Sequence, residues 1–427
     1  MMSKAQSRCR IAVRFLALCL TAGLITGAQA QDDIRRGTIK KVAADEGTVI
    51  ILHDGQEDEF HIDEATRLMD AAGKPIEARL KDERLKPDTQ VFFKPGKKDG
   101  RPTLIGLKLA GPQARAGGPR PARIQVDTSA LKPLPELGQE KYQGFEGGLY
   151  PDGANQRPAE HEAAGLKFAG QIEPLDAEGR PDQNGKIVLL SIGMSNTSQA
   201  YTAFQQAAAA DPEKNPSVVL VNGAQGGMSA NRIVDPDDGG SGEKFWTTVD
   251  QRLRMAGATP AQVQAVWIKQ ADPGPKQGFP KYAQQLKQEL GQIVRILPER
   301  FANLKLTYLS CRTYGGYARS PLNPEPYAYE SGFAVKWLIE DQLRGDRALN
   351  FDRGRANIAA PWLSWGPYLW ANGRRANADG LRYDETDFAD DGTHESPTGQ
   401  AKVAQQLLRF FKTDSTTRPW FVCPPEE

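Results

Sequence analysis

The chain has 427 residues, of which 39% are hydrophobic and 25% charged, as expected of a globular protein with two or three domains. Its 54 basic and 53 acidic residues give a formal net charge of +1, and no basic stripe stands out from that balance. A nucleic-acid partner is therefore not expected.

The first thirty residues have the three parts of a secretory signal. A basic start is followed by a short apolar run over residues 15–27 and by a small-x-small cleavage site that ends at Ala30. We expect cleavage after Ala30 and a secreted or periplasmic protein. The run is too short to span a membrane comfortably, and no other stretch approaches that length, so stable membrane insertion is not expected. Cleavage removes the basic residues Lys4, Arg8, Arg10 and Arg14 and lowers the formal net charge to −3.

Residues 31–110 are predicted to form a small all-β, barrel-like module, because short apolar or alternating segments are separated by turn residues. The module contains His53 and His61, which we interpret as surface or strand-face residues, since no metal-ligand spacing accompanies them. The predicted strands are Gly37–Val42, Thr48–Leu52, Asp58–Ile62, Thr89–Phe93 and Thr103–Leu109.

Residues 111–143 are rich in Gly, Pro and Arg, and such a composition does not bury a core. They are predicted to form a solvated linker, with contact between its arginines and an anionic surface as the alternative.

From residue 144 to the end, strand and helix patterns alternate. This βα alternation predicts a three-layer α/β/α sandwich with a parallel sheet, in which ligands bind at the carboxyl ends of the strands. The predicted strands are Ile187–Ile192, Val218–Val221, Val263–Lys269 and Leu304–Leu309, and the predicted helices are Thr202–Ala210, Lys244–Met255 and Lys281–Phe301.

One serine is expected at such a strand end. An apolar run over residues 187–192 leads to Gly193, which breaks the strand, and a helical pattern follows. Ser195 would lie near a helix N-terminus, where backbone N–H groups favour developing negative charge, so we interpret it as a nucleophile. Ser229 is the alternative nucleophile, but no apolar strand leads into it as directly.

A base and its orienting carboxylate are predicted near the C-terminus. Asp391 and His394 lie three residues apart in a loop before a helix that begins near Pro397. This spacing lets the carboxylate bond one ring nitrogen and direct the other toward a nucleophile. A capping loop with an incidental histidine is the alternative. It is disfavoured because, beyond the β-module, only His161 and His394 remain, and His161 lies in a polar segment.

Two other strand ends offer hydrogen-bond donors. Gly226 and Gly227 leave backbone N–H groups open to a substrate, and Gln270 offers a side-chain amide. Such donors together are what an oxyanion hole needs. No spacing of His, Cys, Asp and Glu indicates a metal site, and no cofactor is expected.

Four short segments occur in the order of a known enzyme family: G-M-S-N at 193–196, G-G-M-S at 226–229, K-Q-A-D at 269–272 and D-G-T-H at 391–394. They resemble the four blocks of SGNH (GDSL-like) hydrolases, and the G-x-S-N form of the first block is most similar to the carbohydrate O-acetylesterase branch. The resemblance covers residues 186–412. It implies a flavodoxin-like α/β/α fold and ester hydrolysis through an acyl-enzyme.

The resemblance also implies residue roles. Ser195 would be the nucleophile, His394 the general base and Asp391 the orienting carboxylate. The backbone N–H groups of Ser195 and Gly227 would form the oxyanion hole with the Gln270 side chain, and Gly226 is the alternative backbone donor. An ordinary α/β-hydrolase is set aside because its G-x-S-x-G elbow needs glycine where Thr197 stands.

Export and four aromatic residues within 361–370 fit a glycan ester as substrate, because aromatic rings stack on sugars. An aromatic strip in the core is the alternative for that segment. A non-catalytic glycan-binding protein is the alternative function, since the third block lacks the usual G-x-N-D. Glu330 is either a group of the site or a first-turn helix acid. After cleavage Cys311 and Cys423 remain, either bridged or as two thiols.

Overall fold

The computed structural model describes residues 35–53, 56–70, 74–98, 100–109 and 122–423. They belong to two compact units, one within residues 19–120 and the other beginning at residue 121. The predicted signal, residues 54–55, which the sequence predicts as a hairpin turn, and the linker residues 111–121 lie outside the described residues. Within the described ranges, no helix has the length and apolarity of a membrane span.

The first unit is a barrel-like sheet whose strand pairs are mostly antiparallel. Its strands are β1 (Arg35–Ala43), β2 (Thr48–His53), β3 (Gln56–His61), β4 (Arg67–Met69), β5 (Gln90–Lys98) and β6 (Arg101–Leu109), in the order β3-β2-β1-β5-β6-β4. The strands β4 and β6 pair in parallel. A parallel bridge from His61 to Thr103 also pairs β3 with β6, so that five strands close on themselves. Val91 and Phe93 are buried while Phe92 between them is 42% exposed, the two-residue period of a strand with one face in a core.

The second unit alternates helices with parallel strands. The helices are α1 (Leu134–Leu137), α2 (Ala159–Ala169), α3 (Ser195–Ala209), α4 (Ser241–Met255), α5 (Lys281–Arg300), α6 (Tyr327–Leu343), α7 (Pro397–Thr413) and α8 (Arg418–Phe421). The strands are the short pair β7 (Lys141–Tyr142) and β8 (Phe145–Glu146), followed by β9 (Ile187–Gly193), β10 (Val218–Asn222), β11 (Val263–Lys269), β12 (Leu306–Leu309) and β13 (Trp362–Trp365).

The last five strands form one sheet in the order β10-β9-β11-β12-β13, with every neighbouring pair parallel. Numbered along the chain this order is 2-1-3-4-5, which doubly wound sheets of the flavodoxin type also have. Every residue of β9, β11, β12 and β13 is buried, so both faces of the sheet are covered. Helices α3 and α7 pack together, as do α5 and α6. The carboxyl ends of all five strands therefore meet at one edge.

The aromatic segment 361–370 is part of this core. It supplies the fifth strand, β13, which the sequence did not predict. Trp362, Trp365 and Trp370 are at most 2% exposed, so the core interpretation holds for these rings. Rings at this depth do not offer a stacking surface to a sugar.

The described part of the predicted linker, residues 122–143, packs onto the second unit. Leu131, Leu134 and Leu137 are buried in its core. The Ile124 N–H donates to the Ala318 carbonyl at 2.9 Å, and the Leu134 N–H donates to the Tyr368 hydroxyl at 3.0 Å. The three leucines, spaced three residues apart, supply apolar surface to the core. The sequence did not reveal this, because the overall composition of the segment, rich in Pro and Gly, is typical of a linker.

The two cysteines of the described chain are not joined by a disulfide. Cys311 is buried, and burial raises the pKa of its thiol to about 12. The Cys423 Sγ lies 3.7 Å from the Lys214 carbonyl. Of the two states left open by the sequence, the structure has two thiols.

Candidate active site

Ser195 lies at the junction of β9 and α3. The strand ends at Gly193, and Ser195 is the first residue of the fifteen-residue helix, seven residues before the predicted helix start at Thr202. A Cβ at position 193 would lie 2.5 Å from both the Lys269 carbonyl oxygen and the Thr197 side chain, so only glycine fits there. Because the first N–H groups of a helix have no intrahelical acceptor, the backbone at Ser195 presents donors and positive potential toward the sheet edge.

A continuous hydrogen-bonded chain joins the three residues that the sequence singled out. The Ser195 Oγ lies 2.7 Å from the His394 Nε2, and the His394 Nδ1 lies 2.5 Å from the Asp391 Oδ2. In this order the imidazole can accept a proton from the serine hydroxyl while the carboxylate fixes its tautomer. His394 and Asp391 side chains are 27% and 33% exposed, so the chain is open on one side.

The loop that carries Asp391 stabilises its ionised form. Its Oδ1 accepts hydrogen bonds from the backbone N–H groups of Thr393 at 2.9 Å and His394 at 3.0 Å. Burial alone raises the pKa of this carboxyl, but the hydrogen bonds from the His394 ring and from these two N–H groups outweigh it and lower the pKa to about 2. Asp391 is therefore charged at neutral pH and can stabilise a protonated His394.

A buried ion pair lies behind the same loop. The Lys269 Nζ is 3.2 Å from the Glu395 Oε1, and both side chains have zero exposure. The Thr313 Oγ1 donates to the same Glu395 oxygen at 2.8 Å. Since Lys269 ends β11 and Glu395 follows His394, this pair ties the histidine loop to the sheet edge. The sequence did not indicate this ion pair, because neither residue belongs to a motif with a recognisable spacing.

A cavity of about 300 Å³ opens beside the hydroxyl of Ser195. Gly227 lines it in a left-handed conformation with φ of 75°, and nothing lies within 4 Å of where a Cβ would point. The position of a Cβ at Gly226 is 3.9 Å from the Ser195 Cβ, and Gly227 lines the cavity together with Ser195, so both glycines lie near this serine. The cavity is lined by Met194, Ser195, Asn196, Gly227, Ser229, Asp272, Pro273, Arg312, Leu322, Asn323, Thr393 and His394.

The two side-chain amides near the site differ in how they are bonded. Gln270 is 3% exposed, its Nε2 donates to the Met228 carbonyl at 2.9 Å, and it is absent from the cavity lining. Asn196 lines the cavity, is 2% exposed, and neither atom of its amide has a hydrogen-bond partner among the described residues. The sequence reasoning missed Asn196, although it directly follows Ser195 within the first block.

The other sequence candidates lie elsewhere or are otherwise bonded. Ser229 lines the cavity, and its Oγ donates to the Asn231 Oδ1 at 2.6 Å. The Glu330 carboxylate accepts from the Tyr142 hydroxyl at 2.9 Å, and burial raises its pKa to about 7. Glu330 is not part of the cavity lining. The structure thus places the His394 imidazole against Ser195 and not against Ser229.

His161 and His53 have structural contacts. The His161 Nε2 lies 2.7 Å from the Leu363 carbonyl and its ring stacks on Trp362. His53 is buried in the barrel, 2.8 Å from the Asp58 carboxylate. In the described ranges, no group of three or more His, Cys, Asp or Glu residues is arranged to hold a metal ion.

No family model and no curated protein matches this sequence. Among solved structures, the chain is similar to the periplasmic domain of a lipopolysaccharide acetyltransferase from Salmonella ser. Paratyphi A. The two chains are 10% identical with a TM-score of 0.29, and the match covers 58% of this chain and 94% of the other. A likeness this distant carries no argument about fold or reaction.

Proposed function

We propose that this protein is an exported serine esterase with an SGNH-type fold, which hydrolyses O-acetyl groups of carbohydrates through an acyl-enzyme. The observation that carries the proposal is the hydrogen-bonded chain from Ser195 through His394 to Asp391, at 2.7 Å and 2.5 Å. These three hydrogen-bonded residues lie at the carboxyl edge of a parallel sheet and border a cavity. Doubly wound proteins bind their ligands at this edge.

In the first half-reaction the Ser195 Oγ attacks the ester carbonyl carbon while His394 takes the hydroxyl proton. The tetrahedral intermediate collapses, the C–O bond to the alcohol breaks, and His394 returns the proton to the leaving oxygen. In the second half-reaction His394 takes a proton from water, whose oxygen attacks the acyl-enzyme. Ser195 then leaves with a proton from His394, and the carboxylic acid is released. Asp391 stays ionised throughout and stabilises the imidazolium.

Negative charge on the carbonyl oxygen needs donors in both half-reactions. The proposed backbone donors are the N–H groups of Ser195 and Gly227, with Gly226 as the alternative to Gly227. The proposed side-chain donor is the second N–H of Gln270, whose first is bonded to the Met228 carbonyl, or the amide of Asn196, whose atoms have no hydrogen-bond partner among the described residues. A single donor of this kind contributes roughly 2.7–4 kcal/mol of transition-state stabilisation in comparable sites.

The volume and lining of the cavity also favour a substrate with a short acyl group. Its volume of about 300 Å³ is at the small end of the range for ligand sites, and Met194 and Leu322 provide apolar surface on its wall. The acetyl group and the carbohydrate alcohol come from the resemblance of the first block, G-M-S-N. The predicted signal would deliver the enzyme to glycans outside the cytoplasm.

Hydrolysis of 4-nitrophenyl acetate tests the reaction. Wild type, Ser195→Ala and His394→Ala are compared with Ser229→Ala as the matched control, because Ser229 lines the same cavity without bonding to the histidine. We expect kcat to fall by at least about 10³-fold in the first two variants. Equal turnover by all four proteins would overturn the proposal.

A non-catalytic glycan-binding protein is the second candidate. It is favoured by the third block, which lacks G-x-N-D, and by Gln270, which is bonded away from the cavity. A fluorophosphonate probe separates the two functions, since it labels only an activated serine. Labelling that mass spectrometry places on Ser195 would contradict the binding protein, and an unlabelled, folded protein would support it.

A further inference from the structure

One acidic side chain fastens the loop that carries the two glycines beside Ser195. This loop, residues 226–231, follows β10 and is called the glycine loop below. The Asn231 N–H donates to the Asp272 Oδ1 at 3.1 Å, and Asp272 itself lies three residues beyond β11. Asp272 also lines the catalytic cavity and is 6% exposed. The glycine loop is therefore tied to the sheet edge through this carboxylate.

A second carboxyl is buried against Asp272. Glu289 lies on α5, is 8% exposed, and its side chain forms a hydrogen bond with that of Asp272. The Glu289 Oε1 accepts from the Gln285 Nε2 at 2.9 Å, just as the Asp272 Oδ1 accepts from Asn231. The other two oxygens, Asp272 Oδ2 and Glu289 Oε2, are buried and accept from no N–H or hydroxyl group of the described residues. Since an ionised carboxylate only accepts, the two can bond each other only when one is protonated.

A proton on Glu289 satisfies both of these oxygens. The protonated carboxyl donates to Asp272 while its other oxygen still accepts from Gln285. Two ionised carboxylates in contact would repel each other and would leave two buried oxygens without hydrogen bonds. Burial and then the bond with Asp272 raise the pKa of Glu289 to about 8. At neutral pH Glu289 is therefore mostly protonated.

The groups around Asp272 leave its carboxylate without a cation. The Tyr282 hydroxyl accepts the Asp272 N–H at 3.1 Å, and burial raises the pKa of that hydroxyl above its ordinary value. Arg312, beyond β12, donates from its Nε to the Asn323 Oδ1 at 3.2 Å. The Asn323 amide donates to the Asp272 carbonyl at 3.2 Å, so this contact reaches the backbone and not the carboxylate.

The elements packed on α5 bring no cation to Glu289 within the described ranges. The groups that shift its pKa are Asp272 and Gln285, in addition to burial. In the turn at residues 230–232, Arg232 is exposed and its Nη1 donates to a carbonyl of the glycine loop at 3.1 Å. Between α5 and α6, Lys287 is bonded to Asp341 at 2.6 Å. The contact between Glu289 and Asp272 is therefore held by its own proton.

We propose that Glu289 is a positioning residue of the esterase, which holds Asp272 and the glycine loop in place through its carboxyl proton and releases them when that proton is lost to alkaline solvent. This inference rests on the proposed esterase function. Glu289 does not line the cavity, so it acts on the reaction through Asp272. Once both carboxyls are ionised, their repulsion displaces Asp272, and the Asn231 N–H and the glycine donors move with it. The reaction then loses donors to the carbonyl oxygen and keeps its base.

The pH profile of kcat/KM for 4-nitrophenyl acetate tests this proposal, with Ser195→Ala giving the background hydrolysis at each pH. In wild type we expect kcat/KM to fall by roughly tenfold between pH 8 and pH 9.5, as the protonated fraction of Glu289 falls. Glu289→Gln has a neutral amide that donates to Asp272 at every pH, so its profile should stay flat over this range. Glu299→Gln is the matched control, because Glu299 is an exposed residue of the same helix, and it should keep the wild-type profile.

Thermal unfolding tests the carboxyl proton without catalysis. The pKa of Glu289 is raised on folding, so its contribution to stability is complete below the unfolded pKa and is lost as the pH rises through the folded value. Glu289→Gln is neutral throughout, so its Tm minus that of wild type should increase between pH 5 and pH 9. If Glu289→Gln does not fold, Asp272→Asn replaces it, because the new amide donates to ionised Glu289 and should also abolish the alkaline fall.

The two measurements separate the ways in which the proposal can fail. If 4-nitrophenyl acetate is cleaved through Ser195 but wild type stays flat to pH 9.5, the esterase stands and the role of Glu289 is overturned. An alkaline fall that persists in folded Glu289→Gln overturns that role as well, and so does a Tm difference that does not change with pH. If no protein cleaves the ester, the esterase fails, whereas a Tm difference that rises with pH still supports the proton on Glu289.

Discussion

The negative charge of Asp391 is stabilised by hydrogen bonds from its own loop. Two backbone N–H groups and the His394 ring all donate to this one carboxylate. A charge held by three donors at the end of the hydrogen-bonded chain keeps the histidine in the tautomer whose Nε2 accepts from Ser195. Replacing this carboxylate therefore tests how the His394 ring is oriented, because the ring itself stays in place.

Asp391→Asn should lower kcat for 4-nitrophenyl acetate by about 10²–10⁴-fold, because an amide favours the wrong imidazole tautomer. The pKa of Asp391 is lowered to about 2 on folding, so its charge stabilises the fold above its unfolded pKa, and that stability is lost as the pH falls through the folded value. The difference in Tm between wild type and variant should therefore be largest at pH 7 and shrink between pH 4 and pH 2. A difference that does not change over this range would contradict the assignment.

The hydrogen-bonded residues Ser195, His394 and Asp391 could be singled out from the sequence because each lies in a local pattern. An apolar strand followed by Gly193 and Ser195, and an aspartate three residues before a histidine, each have a readable spacing. Asn196 and Arg312 have no such spacing, since what distinguishes them is a missing partner. Only the folded chain shows that both polar atoms of the Asn196 amide and the Nη1 of Arg312 are buried without hydrogen bonds.

Among the elements, β11 and the histidine loop are joined by the ion pair of Lys269 and Glu395. Both side chains are completely buried, and the Thr313 hydroxyl also bonds the carboxylate. The pair connects the strand beside β9 to the loop that carries His394, so we expect its geometry to affect the distance between His394 and Ser195. It is not evident from the sequence because the two residues are separated by more than one hundred positions.

Lys269→Met should destabilise the protein by about 3–5 kcal/mol, because it leaves a buried carboxylate without its cation. The double variant Lys269→Met/Glu395→Gln should recover part of this loss, since both charges are then absent. Urea unfolding, followed by tryptophan fluorescence, measures the free energy of unfolding for each protein. Additive losses in the double variant would show that the two groups do not interact.

The elements that the sequence did not predict are those whose amino-acid composition is typical of a different structure. The strand β13 lies in a segment whose aromatic residues also suit a binding surface, and its four residues are too few to show a period. Residues 122–143 contain the prolines and glycines of a linker, yet Leu131, Leu134 and Leu137 are buried. The parallel strands β9 and β11 were predictable because both of their faces are buried and their sequences are almost continuously apolar.

At the scale of the whole molecule, the described chain has two separate hydrophobic cores. The core of the barrel-like unit is built from strands β1 to β6 and the segments between them, including Ile39, Val49 and Phe93. The core of the second unit draws only on residues from Leu131 onward. All residues proposed for the reaction belong to the second unit, which has its own core and its own sheet.

A chain truncated to residues 122–427 should therefore fold and hydrolyse 4-nitrophenyl acetate with a kcat/KM comparable to that of the longer chain. Its hydrophobic core is built from residues from Leu131 onward, and the cavity is lined only by residues from 194 to 394. Circular dichroism and a thermal melt establish that the truncated chain folds, and truncated Ser195→Ala is the control for background hydrolysis. A folded but inactive truncated chain would show that the barrel-like unit contributes to the reaction itself. Loss of activity on O-acetylated sugars alone would instead assign that unit to binding of the glycan.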